Sequence, residues 1–121
     1  MTRVMNDAET RALLTAGRIG RLGCVFEDEP YVLPLNYVFD DGSIYSHSLP
    51  GRKINALRSH PRACLQVDEM TDDLHWRSVI AFGNFEEIDD HLERARILRK
   101  LLKRLVVFRI RIDRITGVAE D

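Results

Sequence analysis

The chain has 121 residues, 45% of them hydrophobic, which is enough for one domain with its own core but short for an enzyme with a deep private pocket. Its 18 basic and 19 acidic residues give a formal charge of -1, which argues against a protein whose whole surface binds nucleic acid. A polar start, with no run of about 18 apolar residues anywhere, argues against a secretory leader or a membrane span. We therefore expect one cytoplasmic domain over residues 1–121.

The predicted elements alternate polar turns with short apolar runs. Capping residues and 3.6-residue spacing of apolar side chains indicate the helices, whereas β-branched and aromatic residues indicate the strands. In chain order we predict a helix from Asn6 or Asp7 to Ala16, strands over 19–26, 31–39 and 43–47, a helix over 52–59, strands over 62–68 and 76–88, a helix over 92–105 and a strand over 106–112.

Three local signals delimit these elements. Asp40-Asp-Gly42 predicts the turn between the second and third strands, and Pro61 ends a helix because the residue before proline avoids the helical region. Gly83, inside the longest predicted strand, predicts a bulge. Short turns between six strands predict a mainly β fold with flanking helices, a small six-stranded antiparallel barrel whose closure would remove exposed edges.

The most distinctive segment runs from Ile44 to Ile54, with the sequence Ile-Tyr-Ser-His-Ser-Leu-Pro-Gly-Arg-Lys-Ile. A strand that carries the hydroxyls of Ser46 and Ser48 leads to a Pro-Gly turn, and Arg52 and Lys53 then occupy the first helical turn. Cations are disfavoured at this positive end of the helix dipole, where backbone N–H groups are also free. A bound phosphate would explain them, and a solvated pair of cations is the alternative.

The cysteines and the remaining histidines do not suggest a metal site. Cys24 and Cys64 lie in apolar, strand-like runs, which favours inert buried thiols over a disulfide or metal ligands. The spacing of His60, His75 and His91 does not predict zinc binding, so no metal is expected.

The last predicted helix is basic and amphipathic. Against one acid, Glu93, it carries Arg94, Arg96, Arg99, Lys100, Lys103 and Arg104. We expect a solvated outer face, with contact to an acidic partner, a nucleotide tail or nucleic acid as the alternatives.

The order of these motifs resembles the split barrels that bind flavin mononucleotide (FMN) and are related to pyridoxamine 5'-phosphate oxidase, most closely the branch named for nitroimidazole resistance. The resemblance is carried by Gly17-Arg-Ile-Gly-Arg-Leu22, Val32-Leu-Pro-Leu-Asn-Tyr37, Tyr45 with His47, Gly51-Arg-Lys53, Trp76-Arg-Ser-Val79 and Ile115-Thr-Gly117. It implies a split β-barrel, bound FMN and a homodimer with the flavin at the interface.

The resemblance also implies roles for individual residues. Arg52 and Lys53 match the phosphate-binding cations, and His47 would line the flavin or donate a proton. The segment Pro34–Tyr37 would run beside the flat ring system, and Pro34 fits because proline needs an unpaired strand edge. The full set of expected cofactor contacts is Pro34, Leu35, Asn36, Tyr37, Ser46, His47, Ser48, Arg52, Lys53 and, from the opposite subunit, Trp76, Arg77 and Ser78.

Three functions are compatible with these observations. The leading one is a homodimeric FMN-dependent oxidoreductase that acts on a small electron acceptor, either nitro-aromatic or quinone-like. The alternatives are a carrier that binds flavin or haem without turnover and an interaction module that uses the basic helix. The segment before the final strand and the C-terminus are shorter than in the oxidases of the family, so we do not expect oxidation of pyridoxamine phosphate.

Overall fold

The computed structural model describes residues 2–98 and 106–121, in which eight strands and three helices occur. The strands are β1 Thr2–Val4, β2 Ile19–Phe26, β3 Glu29–Asn36, β4 Val38–Asp40, β5 Ser43–Ser48, β6 Arg62–Asp72, β7 His75–Glu87 and β8 Val106–Glu120. The helices are α1 Asp7–Ala16, α2 Arg52–Ser59 and α3 His91–Leu98. The predicted continuation of the last helix to Leu105 lies outside the described residues.

The strands form one antiparallel sheet in the order β3-β2-β6-β7-β8-β5-β4, with β1 paired to β8. The two end strands, β3 and β4, are consecutive in the chain and separated only by Tyr37, so the sheet curls until its ends approach. This arrangement confirms the predicted mainly β split barrel with flanking helices. The expectation of a fully closed barrel is wrong, because the pairing order stays open between β3 and β4.

The predicted strand over 31–39 is divided in the structure. Its backbone leaves the ladder at Tyr37, whose N–H donates to the Arg18 carbonyl at 3.0 Å and whose hydroxyl donates to the Leu14 carbonyl at 2.7 Å. Each half then pairs with a different neighbour, β3 with β2 and β4 with β5. The six-strand prediction also missed β1, which depends on a partner more than a hundred residues away, for example Arg3 opposite Ala119.

The last strand is longer than predicted, ending at Glu120 and not at Ile112. It pairs with β7 along most of its length, and the register shifts beside Gly83, where Asp113 is the extra residue on β8. A methyl group at Gly83 would overlap the carbonyl oxygen of Arg111, so the close approach of the two backbones requires glycine. The bulge predicted there is confirmed.

Local sequence signals account for the turns and for α1. Asp41 and Gly42 have φ values of 49° and 75°, as a two-residue hairpin turn requires. In α1 the Asn6 side chain accepts a hydrogen bond from the Glu9 N–H, and Glu9 in turn accepts one from the Asn6 N–H. Leu14 of this helix is fully buried in the core. None of the described helices is long and apolar enough to span a bilayer.

Candidate functional site

A cleft of about 280 Å³ lies where the ends of β3 and β5 meet the first turn of α2. We call it the Lys53 cleft. The described residues that line it are Pro34, Leu35, Asn36, His47, Ser48, Leu49 and Lys53. All of these except Leu49 belong to the set of predicted flavin contacts. Leu49 carries no chemical group that sequence reasoning could have recognised, and it enters the lining through the path of the backbone.

The β3 wall of the cleft is an edge strand. Pro34 is paired to Arg21 of β2, and β3 is an end strand of the sheet order. The missing N–H of proline therefore costs no ladder hydrogen bond. Pro34 and Asn36 are exposed while Leu35 between them is buried, which leaves a flat backbone edge with an amide beside it.

The β5 wall is held to β3 by a buried hydroxyl. Ser46 is 1% exposed, and its Oγ donates to the Asn36 carbonyl at 2.5 Å. Ser46 therefore joins the two walls and is not among the described lining residues. His47 is buried at the back of the cleft, and Ser48 at its rim donates to the Leu49 carbonyl at 2.8 Å.

The α2 wall combines a cation with an uncapped helix start. Gly51 is the N-cap and offers no side-chain hydrogen bond to the first-turn N–H groups, and there is open space where a Cβ would stand. Lys53 lines the cleft from this turn. Burial raises the pKa of the Cys24 thiol, and the nearby Lys53 ammonium partly opposes that rise. A cation beside helix N–H groups that no side chain caps suits a phosphate.

Arg52 points elsewhere. Its guanidinium lies over the Phe26 ring, 5.3 Å from the centroid, and it is not among the described residues that line the cleft. Tyr37 is also outside the lining: it is buried, its hydroxyl bonds to Leu14, and burial raises its pKa to about 12. Tyr37 therefore fastens the junction between the two end strands to α1.

The three β7 residues that were expected at the flavin do not line the Lys53 cleft. Trp76 and Arg77 line a second cleft of about 200 Å³, formed with residues of β6 and the end of β8. Ser78 accepts a hydrogen bond from Gln66 Nε2 at 3.0 Å. One chain alone does not bring these three residues to the Lys53 cleft.

The described basic residues of α3 are engaged within the fold. Arg94 donates to the Ile88 carbonyl at 3.1 Å, and Arg96 pairs with Asp40 at 2.9 Å. Arg94 is half-buried and Arg96 is exposed, so the predicted solvated face also makes contacts within the fold, to the Ile88 carbonyl just after β7 and to Asp40 of β4. The other basic residues predicted for this helix, at positions 99, 100, 103 and 104, lie outside the described residues.

Sequence comparison places a family match over nearly the whole chain. The family model described as pyridoxamine 5'-phosphate oxidase matches residues 6–119. An uncharacterized protein of Rhizobium meliloti (strain 1021) is 36% identical over 86 residues, which is 71% of this chain and 57% of that protein. The match thus spans little more than half the length of this relative.

Solved structures share the fold along the whole chain. An FAD-binding protein of Mesorhizobium loti has a TM-score of 0.87 and 34% identity, covering 100% of this chain and 99% of that one. A candidate 5-nitroimidazole antibiotic resistance protein of Bacteroides thetaiotaomicron has a TM-score of 0.83 at 20% identity, with coverages of 98% and 87%. An FAD-binding protein of Mycobacterium smegmatis has a TM-score of 0.79 at 20% identity, with coverages of 98% and 100%. At 20% identity the last two similarities concern the fold alone.

Proposed function

Because the chain belongs to the pyridoxamine 5'-phosphate oxidase family, we propose that it binds a flavin nucleotide in the Lys53 cleft. The observation that carries the proposal is the convergence of predicted flavin contacts from β3, β5 and α2 on one cleft. The Mesorhizobium loti protein, which binds FAD and is 34% identical over the whole chain, supports the same ligand class.

The phosphate would lie at the start of α2. Lys53 would supply one charge-assisted donor, and first-turn N–H groups that no side chain caps would supply others. We propose FMN as the ligand, and the similarity to an FAD-binding protein makes FAD the alternative. Both flavins carry the phosphate that follows the ribityl chain, so the role of Lys53 is the same for either.

The chain's own residues would orient the flat flavin ring and hold or donate one proton. The backbone of Pro34–Asn36 offers an open edge, and the Asn36 amide can hydrogen-bond the rim of the ring. A bound flavin would supply the electron transfer. His47 is the titratable group on the inner wall, so we assign it the hydrogen bond or proton that a reduced acceptor needs. For that acceptor we propose a small nitro-aromatic or quinone-like molecule, the class that the family resemblance implies.

We further propose a homodimer, because one chain supplies only part of a flavin site. The cleft of about 280 Å³ is slightly smaller than the roughly 300–1,000 Å³ found for pockets that enclose a small-molecule ligand. Trp76 and Ser78 would then be contributed by the second copy, whereas Arg77 between them lies on the opposite face of β7.

The sheet register favours one arrangement of that dimer. Leu22, Leu65 and Val79 point into the core, so their neighbours lie on the outer face of β3, β2, β6 and β7. One cross-strand row of this face consists of Pro34, Arg21, Gln66 and Ile80. Continuing this register two residues past the observed β2–β6 pairs makes Asn36 level with Ser78, at the opposite side of the face. A two-fold axis parallel to the strands, between β2 and β6, exchanges β3 with β7 and sets the partner subunit's Ser78 opposite Asn36.

This outer face has the character of an interface. It carries an apolar groove of about 370 Å³, lined by residues that include Val32, Gly23, Cys64 and Phe82. Val32 is 67% exposed there. No helix of the described chain lies on the groove's lining, whereas α3 contacts the sheet near β4, β5 and β8. A second copy would cover the groove as it completes the two flavin sites.

The free thiols of Cys24 and Cys64 agree with the cytoplasmic location that we propose, since reducing compartments keep cysteines unpaired.

The visible spectrum of freshly purified protein tests the proposed function. We expect a flavin spectrum, or its appearance after reconstitution, and chromatography of the released cofactor will distinguish FMN from FAD. A protein that takes up neither flavin would refute the proposal. Bound flavin that NADH, NADPH and a reduced deazaflavin all fail to reduce would favour the carrier function instead.

A further inference from the structure

Helix α3 is attached to the barrel separately from the main core. Its Ile97 is fully buried, and it packs with Tyr45, Ile88 and Val107 in a small cluster distinct from the main hydrophobic core. The helix begins where the Glu93 N–H donates to Asp90 Oδ1 at 2.7 Å. A cluster of this size offers little apolar burial, so α3 depends on its polar contacts to stay docked.

Two ion pairs fasten α3 across the sheet. Arg96 pairs with Asp40 at 2.9 Å and also lies over the Tyr45 ring, 5.6 Å from its centroid. One turn earlier, Glu93 pairs with Arg109 of β8 at 2.5 Å. We call the pairs Arg96–Asp40 and Glu93–Arg109 the α3 latch. The latch joins β4 and β8, with β5 lying between them in the sheet order.

The latch is next to the inner wall of the Lys53 cleft. Tyr45 and His47 are two residues apart on β5, so their side chains share one face of the sheet. In the pairing with β8, Tyr45 is opposite Arg109 and His47 is opposite Val107. Ile97 packs in the cluster that contains Val107. His47, 7% exposed, therefore lies one cross-strand row from the latch and beside the residue that α3 covers.

We propose that Arg96 and Glu93 are positioning residues: the α3 latch holds the helix against β5 and keeps His47 buried at the back of the cleft. When the latch opens, α3 lifts, and the row of Val107 and His47 at the back of the cleft is exposed. The inference rests on the proposed function only where it concerns ligand release. The burial of His47 can be measured on the protein without ligand.

The test combines two measurements on ligand-free protein. Hydrogen exchange of the α3 amides reports docking of the helix, and mass spectrometry after treatment with diethyl pyrocarbonate reports the exposure of each imidazole. His60 and His75, both exposed, are internal references in every sample. Arg58→Gln is the matched control for Arg96→Gln, because Arg58 also pairs with an acid, Glu87. The two arginine side chains are similarly exposed, Arg58 by 48% and Arg96 by 44%.

In Arg96→Gln we expect both α3 exchange and His47 modification to rise about two- to fivefold, the usual effect of one partly exposed ion pair. Adding Glu93→Gln should increase both rates further. About 0.5 M salt should accelerate both in the parent protein, since salt screens such pairs. Arg58→Gln should leave the ratio of His47 to His60 modification at the parental value.

Two outcomes would overturn the proposal. In one, α3 exchanges faster while His47 reacts at the parental rate, so that the helix does not cover His47. In the other, Arg58→Gln changes His47 as much as Arg96→Gln does, so that the effect is global. If the variants do not fold, the salt series on the parent protein shows whether α3 exchange and His47 modification rise together. A protein that fails to bind flavin refutes the proposed function and leaves these measurements valid.

Discussion

Two adjacent residues, Arg52 and Lys53, have different surroundings although the sequence presents them as one cationic motif. Lys53 lines the cleft, whereas the Arg52 guanidinium stacks over Phe26. One residue turns a helix by about 100°, so neighbours in the chain point to different sides. The rotation of α2 about its axis, relative to the sheet, decides which of the two cations faces the cleft. Residue types alone do not predict that rotation.

For Lys53→Ala we expect the dissociation constant for flavin to rise about tenfold or more, because one charge-assisted contact to the phosphate is lost. Arg52→Ala should weaken binding less, since its guanidinium is held against Phe26. Titration by flavin fluorescence measures both constants. Equal affinity of Lys53→Ala and the parent would contradict the phosphate assignment.

Gly83 has a steric role that is separate from the site. Gly83→Ala should lower the free energy of unfolding by about 1–3 kcal/mol, because the new methyl group meets the Arg111 backbone and the strands must move apart. Urea denaturation of the ligand-free protein gives the value. Gly51→Ala is the control, since no atom lies within 4 Å of its added Cβ, and its cost should be only the poorer N-cap preference of alanine, about 0.5–1 kcal/mol.

Individual elements differ in how far local sequence specifies them. The start of α1 at Asn6 or Asp7 and the bounds of α2 follow from nearby residues, and both predictions are confirmed. The division of the second strand at Tyr37 does not, because it depends on hydrogen bonds to Arg18 and Leu14. An apolar run over 31–39 is compatible with one strand or two until the rest of the sheet is in place.

The contacts of Glu9 in α1 lead us to expect that the stability of the fold decreases in acid. Glu9 accepts a hydrogen bond from the Asn6 N–H and pairs with Arg3 of β1 at 2.7 Å, and Arg3 is the main reason that the Glu9 pKa falls to about 2. A carboxyl whose pKa is depressed on folding stabilises the fold above its unfolded pKa of about 4.3 and loses that effect as the pH falls toward its folded value.

Glu9→Gln should therefore lower the melting temperature at pH 7, and its difference from the parent should shrink as the pH is lowered from about 4.3 toward 2. Calorimetry across this pH range measures the difference. A gap between variant and parent that is the same at both ends of the range would show that the ion pair with Arg3 does not contribute.

The molecule as a whole presents two clefts that one chain does not join. The Lys53 cleft is at the β3 side of the outer face, and the cleft with Trp76 includes the start of β7. By the register of the sheet, Asn36 of the first cleft is level with Ser78, two residues from Trp76 of the second, so the proposed two-fold axis would bring the two clefts close together. Flavin binding is therefore expected to depend on formation of the proposed dimer.

Val32→Asp should convert the proposed dimer to a monomer and weaken flavin binding about tenfold or more, because it places a charge in the apolar groove. Leu92→Asp is the matched control: Leu92 is 80% exposed on α3, away from this face, and should leave the dimer intact. Sedimentation equilibrium measures the mass of each. A Val32→Asp protein that stays dimeric would disprove the proposed axis.

Local patterns in the chain were sufficient for α1, α2 and the turns at Gly42 and Pro61, and the family resemblance brought together the residues of β3, β5 and α2 that line the cleft. Those features depend on contacts between near neighbours or on motifs that keep their order. The tertiary structure alone decided that Ser46 joins the walls of the cleft, that Arg52 faces Phe26, and that Trp76 lies apart from Lys53. Each of these depends on the rotation or register of elements distant in the chain, which packing of the whole sheet sets.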